Sequence, residues 1–265
     1  MNFITLDYWD IGLASLTIAV NAGLSVAMRL GLGQRLIIAA VRMVVQLTLV
    51  GLVLKALFSV ASPVFTGAAI LIMILFAGRE AMARQERRFR GWWSYGLGTG
   101  SMMAAGLIVL VFGLTTQISP DPWYDPRYAI PLMGMILGNT MNGVSIGLDR
   151  MISGMVERRV AIEARLCLGA EAREAFRPVV RAALRAAFIP TINGMSAAGI
   201  VSLPGMMTGQ ILAGADPVEA VKYQIIIMFL IAGGTGLGSF AAVTFAQRRL
   251  TDSRHRLRLD RLISS

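Results

Sequence analysis

The chain has 265 residues, of which 55% are hydrophobic and 15% are charged, well below the roughly 25% charged residues of soluble proteins. Its formal net charge is +10, and it contains one Cys and one His. Those counts exclude a disulfide framework, a zinc-type cluster and a His-dependent catalytic triad within this chain. Neither of its two lysines follows the GxxxxG pattern of a phosphate-binding loop, which excludes ATP hydrolysis by this chain itself.

Seven apolar stretches are long enough, or nearly so, to cross a bilayer, which takes about 20 residues. In chain order they are 11–28, 36–60, 64–77, 92–114, 128–148, 188–212 and 223–246. The third is short and would need a thinned bilayer or support from its neighbours. The sequence therefore predicts an all-α, polytopic membrane protein with about seven transmembrane helices, forming a single transmembrane domain over residues 1–265.

Basic residues are distributed unevenly between the two sets of loops. The loops after the first, third and fifth stretches, together with the C-terminal end, hold 21 arginines, whereas the opposite loops hold only Lys55, Arg127 and Lys222. Cytoplasmic loops of membrane proteins carry such an excess. We therefore expect the N-terminus outside, the C-terminus inside with a basic tail over 248–265, and a bacterial inner membrane. Because the arginines follow this topology, they predict contact with anionic lipid and no nucleic-acid partner.

The inner segment over 149–187 mixes charged and apolar residues at helical spacing. Gly169 is expected to end one helix, and Pro178 suits the first position of a new one, where its missing N–H costs nothing. The pattern predicts a cytoplasmic helix, a short helix and a third helix that leads into the sixth span. Two interpretations stay open: an amphipathic helix on the membrane surface, or a docking element for a soluble partner.

Polar residues recur inside the fifth and sixth spans, where they are expensive and usually face a bundle interior or water. On the fifth span, Asn139, Asn142 and Ser145 lie within one third of the helix circumference, with Asp149 at the inner end. The sixth span carries Asn193, Met206, Met207 and Gln210, with Pro204 predicted to break the helix. A broken helix is tolerated at membrane depth where it lines a cavity. These residues predict a substrate path, with interhelical glue as the alternative.

Two features of the spans leave alternatives open. Arg42 lies inside the second apolar stretch and either reaches the membrane surface along its side chain or points into the bundle. Glycine pairs at a spacing of four allow close helix approach, either within the chain or in a homodimer. They are Gly134/Gly138, Gly143/Gly147, Gly205/Gly209 and Gly234/Gly238.

The inner segment reads EARLCLGAEAREAF and then RPVVRAALRAAFIP, which resembles the coupling loop of ABC-transporter permeases. Glu163, Ala164 and Gly169 match the Glu-Ala pair and the Gly six residues after the Glu. Arg165 replaces the second Ala, and Pro190 lies farther downstream than in importers. With PLMGMILGNTMNGVSIGLDR and INGMSAAGIVSLPGMMTGQILAGADP, nearly the whole chain resembles the FetB-type permease family, to which plant aluminium-tolerance permeases are similar.

This resemblance implies a membrane-spanning, non-enzymatic subunit of an ABC transporter that exports iron or another metal ion. It implies a homodimer of the permease and a separate P-loop ATPase subunit that holds the ATP and Mg, with no cofactor in this chain. The implied ATPase-coupling surface comprises Glu163, Ala164, Gly169, Glu171, Arg173 and Phe176. The residues give no metal-ligand set. The alternative function is a secondary transporter or channel for a small polar solute that has no ATPase partner.

Overall fold

Six of the seven predicted spans fall almost entirely on helix, and the sixth is interrupted, in the structure, a computed structural model that describes residues 7–60, 62–252 and 254–264. The elements in chain order are α1 (Tyr8–Ala27), α2 (Gly33–Val60), α3 (Pro63–Ala83), β1 (Arg87–Phe89), α4 (Trp93–Gly113), α5 (Pro126–Glu157), α6 (Arg159–Cys167), α7 (Ala172–Ala197), α8 (Gly205–Leu212), α9 (Pro217–Arg249) and β2 (Leu262–Ser264). A π-helical turn, Leu114–Ile118, continues α4, and a 3-10 turn, Leu259–Arg261, precedes β2. Residues 1–6, 253 and 265 of the predicted single domain and tail lie outside the described residues.

Five helices are long and apolar enough on composition alone to cross a membrane: α1, α2, α3, α4 with its π-helical turn, and α9. The 32-residue α5 is not among them, because amides and glycines lower its hydropathy. The sixth predicted span is divided between α7, whose first half is rich in arginine, and the 8-residue α8. The multi-pass, helical character of the chain follows from these helices.

The structure divides into two units, residues up to 61 and residues from 62 onward. The first unit is a hairpin of α1 and α2. Its turn is closed by Ser25, whose hydroxyl accepts a hydrogen bond from the Leu32 backbone N–H at 3.0 Å. Gly31 supplies a positive φ of 69° in this turn. Along α2, Arg42 and Lys55 are both exposed.

The second unit is built around α5, which packs against α3, α4, α7 and α9. Three of its long helices begin at a proline in the first turn, where the missing N–H costs nothing. Asp125 and Asp216 cap α5 and α9 by accepting backbone N–H bonds, at 2.9 Å from Arg127 and at 2.9 Å from Val218. The prolines and caps therefore fix where the spans begin.

Glycines let α5 approach its neighbours closely. A Cβ on Gly143 would lie 2.6 Å from Thr235 Cγ2, and one on Gly238 would lie 2.5 Å from Thr140 Cγ2, so both positions serve the α5–α9 contact. A Cβ on Gly147 would lie 3.4 Å from Ala187 Cβ of α7 and 3.3 Å from Val243 Cγ2 of α9. Two of the four glycine pairs thus serve packing within the chain, while Gly138, Gly205 and Gly209 face open space.

Two predictions of helix extent were wrong. The third span is not short: α3 runs on through Arg79 to Ala83, giving 21 residues, because the helix continues past the apolar window. Pro178 does not start a helix but lies inside α7, which is continuous over 26 residues. Phe176 and Val179 on either side of the proline are both buried, so tertiary packing holds the helix together there.

The predicted break in the sixth span is confirmed, although it precedes Pro204. The chain leaves α7 at Ala198, turns at Gly199 with a φ of 87°, and forms a bridge between Ala198 and Ser202. Pro204 then occupies the N-cap position of α8. Proline is compatible with the extended cap geometry but not with a continuous helix at this point.

The C-terminal tail is an ordered clasp, here defined as residues 250–264 without 253. Its strand β2 pairs antiparallel with β1 in the α3–α4 loop, with Arg88 opposite Ile263. Leu257, Leu259 and Leu262 pack on the core of the second unit. His255 is exposed. The tail is therefore basic at its surface and apolar where it contacts the helices.

Candidate transport path and docking segment

The polar stripe of α5, defined as Asn139, Asn142, Ser145 and Asp149, is partly exposed, and two of its side chains form hydrogen bonds within α5 itself. Asn139 is exposed, and its side-chain N–H donates to the Met135 carbonyl at 2.9 Å. The Ser145 hydroxyl is buried and donates to the Met141 carbonyl at 2.7 Å. Both contacts run back one helical turn, so neither side chain is committed to a neighbouring helix.

Two other stripe residues contact the segment that follows α3. The Arg84 guanidinium donates to the side-chain oxygen of Asn142 at 2.5 Å. The Glu86 backbone N–H donates to the Asp149 carboxylate at 3.3 Å. Within the described residues, no hydrogen bond joins Asn139, Asn142 or Ser145 to α7 or α8. Asn142 and Asp149 thus contact the end of α3 and the loop between α3 and α4.

The residues predicted on the sixth span are dispersed along it. Asn193 is exposed near the end of α7, while Met206 packs on the core and Met207 is buried on α8. Gln210 has a buried side-chain oxygen without a hydrogen-bond partner. Asn193 therefore lies on α7, whereas Met206, Met207 and Gln210 lie on α8, which packs against α9.

A cluster of buried hydroxyls lies between α5 and α9, and the sequence analysis missed it. Thr140, Thr235 and Ser239 are fully buried, and their hydroxyl oxygens lack partners among the described residues. All three surround the close approach at Gly143 and Gly238. The only sequence signal was hydroxyl residues among glycines in GGTGLGS, a pattern also common in plain helix packing.

Most of the predicted coupling residues lie on an exposed connection between α5 and α7. Glu163 on α6 pairs with Arg159, one turn earlier, at 2.8 Å. Ala164, Gly169, Glu171 and Arg173 are exposed, and Gly169 has a φ of 88° that allows the sharp turn after α6. Phe176 requires a correction, because it is 0% exposed and anchors α7 in the core. It therefore offers no surface to a partner.

The apolar surface of α6 was missed in the sequence analysis. Val160 and Leu168 are 80% and 88% exposed, and with the exposed Ala164 they form one stripe at a spacing of four. The buried side of α6 is instead formed by Ile162, with Leu166 packed on the core. Helical spacing of apolar residues was recognised in this segment, but the spacing alone did not tell which residues would be exposed. The exposed stripe is a surface suited to a partner.

The acidic and soft ligand residues are dispersed. In the described part of the chain, no group of three His, Cys, Asp or Glu side chains comes close enough to hold a metal ion. Cys167 is exposed at the end of α6. Any metal ion on the described path would thus meet amide, carbonyl, hydroxyl and thioether groups, which bind more weakly than a thiolate or imidazole set.

Comparison with known proteins places the chain in a family. Residues 8–251 match the profile described as "Uncharacterised protein family (UPF0014)". The UPF0014 membrane protein slr1647 of Synechocystis sp. is 38% identical over 96% of this chain and 97% of that protein. The probable iron export permease protein FetB of Escherichia coli is 32% identical, over 97% of each chain. The Protein ALUMINUM SENSITIVE 3 of Arabidopsis thaliana is 31% identical, over 83% of this chain and 78% of its own.

No solved structure matches the chain. The similarity to FetB and to the plant protein confirms the resemblance inferred from the inner segment and from the fifth and sixth spans. Since the profile spans most of the chain and several relatives align along almost all of it, the chain belongs to the UPF0014 family of membrane proteins.

Proposed function

We propose that this chain is the membrane-spanning permease subunit of an ABC-type exporter in the bacterial inner membrane. Its cargo is iron or another metal ion, and a separate P-loop subunit hydrolyses the ATP. The observation that carries the proposal is the alignment with the probable iron export permease FetB over 97% of both chains. Two structural features support it: the exposed α6 segment and the partly uncovered α5.

The α6 segment has the properties of a docking element. It is a 9-residue helix between two long helices, and its outward stripe of Val160, Ala164 and Leu168 is apolar. The ion pair between Arg159 and Glu163 borders the stripe. Partner surfaces commonly combine an apolar centre with a polar rim, and a short helix seated in a groove is a frequent way to present it. We assign this stripe to the contact with the ATPase.

The exposed side of α5 supports a path between two copies of the permease. Tyr128, Asn139, Asn142 and Ile146 recur on that side of the helix and are all exposed. In a homodimer, two such sides would line one passage in which amides replace part of the cargo's hydration shell. Weak oxygen and thioether contacts suit transport, since a site on the path must release what it binds. Two permeases and two ATPase subunits make up the proposed assembly.

Co-purification tests the docking assignment. The chain is co-expressed with the proposed P-loop ATPase subunit, and the ATPase retained on the tagged permease is measured. Leu168→Asp and Glu163→Arg should each reduce the retained ATPase at least about tenfold, since centrally placed contacts dominate interface energy. Leu203→Asp is the matched control, because Leu203 is also exposed, at 60%, but lies before α8. Retention unchanged by both α6 variants, in permease that is inserted and monodisperse, would refute the assignment.

A further inference from the structure

A groove of about 500 Å³ lies between the start of α4 and the end of α9. Its mouth is formed by Trp92 and Trp93 at the start of α4 and by Arg248 and Arg249 at the end of α9. Tryptophan and arginine at the ends of apolar helices mark the level of lipid headgroups. The groove therefore opens at the boundary between hydrocarbon and water.

The described residues that line the mouth of the groove carry positive charge. Arg248, Arg249 and Arg261 line it, and the described lining residues include no carboxylate. The Nη1 of Arg261 donates a hydrogen bond to the Arg249 carbonyl at 2.7 Å, and this bond holds the Arg261 side chain in place. Three arginines lining one groove with no carboxylate among the lining residues suit an anion, and guanidinium groups bind phosphate well.

Two buried polar groups without hydrogen-bond partners also support a ligand site in the groove. The Arg249 Cζ lies 4.3 Å from the centre of the Trp93 ring, which fixes the guanidinium, yet its Nε is buried without a hydrogen-bond partner. Ser101, deeper in the groove, is 2% exposed, and its hydroxyl also has no partner. Buried polar groups in native proteins normally have partners. These two atoms are therefore available to a ligand.

The wall of the groove is apolar and has room for a hydrocarbon chain. Gly96 and Gly100 lie one turn apart on α4, and a Cβ at either position would meet nothing within 4 Å. Phe245 of α9 is 48% exposed on the opposite wall. The mouth thus suits a phosphate, while the interior suits an acyl chain.

We propose that this groove is a specific site for an anionic phospholipid of the leaflet that contacts the C-terminal end of α9. The phosphate lies among Arg248, Arg249 and Arg261, and one acyl chain follows α4 past Gly96 and Gly100. Free phosphate would leave the apolar wall uncovered, and a zwitterionic lipid would leave the arginine charges uncompensated. The site requires only that the chain sits in a bilayer, so it is independent of the transported cargo.

Tryptophan quenching by brominated lipid tests the site. The chain contains 4 Trp, so Trp9→Phe and Trp123→Phe leave Trp92 and Trp93 as the reporters. The protein is placed in two matched series of nanodiscs, one with increasing fractions of brominated phosphatidylglycerol and one with increasing fractions of brominated phosphatidylcholine. Brominated phosphatidylglycerol should reach half-maximal quenching at a fraction at least about fivefold lower, which is the effect of roughly one arginine at a membrane surface. Equal quenching by the two lipids overturns the proposal.

Variants separate the groove from general surface charge. Arg249→Gln and Arg248→Gln should each reduce the phosphatidylglycerol preference several-fold, and Gly100→Leu should reduce it without any change of charge. The matched control is Arg254→Gln, in the same tail but outside the groove; an equal loss there would contradict the proposal. Displacement of phosphatidylglycerol by millimolar inorganic phosphate would identify a free anion as the occupant and would also overturn it. The two lipids are compared on the same Trp9→Phe, Trp123→Phe protein, so any effect of these two substitutions is common to both measurements.

Discussion

Arg84, the residue that caps the end of α3, donates a hydrogen bond of 2.5 Å to the side chain of Asn142 in α5. This bond links an arginine at the end of α3 to a residue predicted to lie on the substrate path. Asn142 therefore serves the attachment of α3 to α5, whereas Asn139 bonds only to its own helix. The two amides of the stripe have separable roles.

Replacement of the two amides should distinguish those roles. Asn142→Leu leaves the Arg84 guanidinium without this acceptor and should cost about 1 kcal/mol of stability. Asn139→Leu should leave stability nearly unchanged but lower export, because it removes a polar group from the exposed side of α5. Thermal unfolding in detergent and metal efflux from cells are the two measurements. Equal unfolding temperatures for the two variants would contradict the assigned roles.

The contact between α5 and α9 depends on glycine. Gly143→Ala would place a methyl group 2.6 Å from Thr235 Cγ2 and 2.8 Å from Ser239 Oγ. Overpacking of this kind should cost about 1–3 kcal/mol. Gly138→Ala is the matched control on the same helix, since nothing lies within 4 Å of its Cβ position. Equal thermal stability of the two variants would show that the helices do not approach as described.

The C-terminal clasp should open in acid. Hydrogen bonds from the Arg258 guanidinium lower the pKa of Asp260 to about 2, and backbone and side-chain bonds from Arg256 lower the pKa of Asp252. A depressed carboxyl pKa adds stability that is complete above the unfolded pKa of about 4 and is lost as the pH falls toward 2. Hydrogen exchange of the β1 and β2 amides, corrected for intrinsic rates, should therefore accelerate between about pH 4 and 2.

A variant provides the control for that acid transition. Asp260→Asn removes the titrating group and should leave β1–β2 exchange faster at neutral pH and less dependent on acid. If exchange in the unaltered protein shows no acceleration down to pH 2, the Arg258–Asp260 pair does not hold the tail.

The side of the membrane reached by each loop tests whether α5 is a span. The single Cys167 is exposed at the end of α6 and should react with an impermeant thiol reagent only in inside-out vesicles. In a Cys167→Ser background, Asp121→Cys before α5 should react only in intact cells whose outer membrane has been permeabilised. Reaction of both positions from the same side would exclude α5 as a span and with it the predicted seven-span topology.

The sequence predicted the helices well but not the contacts that the helices and strands make with one another. Apolar stretches and prolines at helix starts are local signals, so the spans and the break before Pro204 could be inferred. The continuity of α7 through Pro178 depends on the burial of Phe176 and Val179, which no local pattern reports. The pairing of Arg88 with Ile263 joins residues far apart in a chain whose strands are three residues long. Long-range contacts of this kind also decided which side of α6 is exposed.

Transport by the reconstituted complex tests the central claim most directly. The permease and its ATPase are placed together in liposomes with the ATPase side outward, and movement of radiolabelled iron or manganese into the lumen is followed. The account predicts accumulation that requires both ATP and the ATPase, and that falls to background with Leu168→Asp. Metal movement by the permease alone, without ATP, would contradict the account and would favour a secondary transporter or channel.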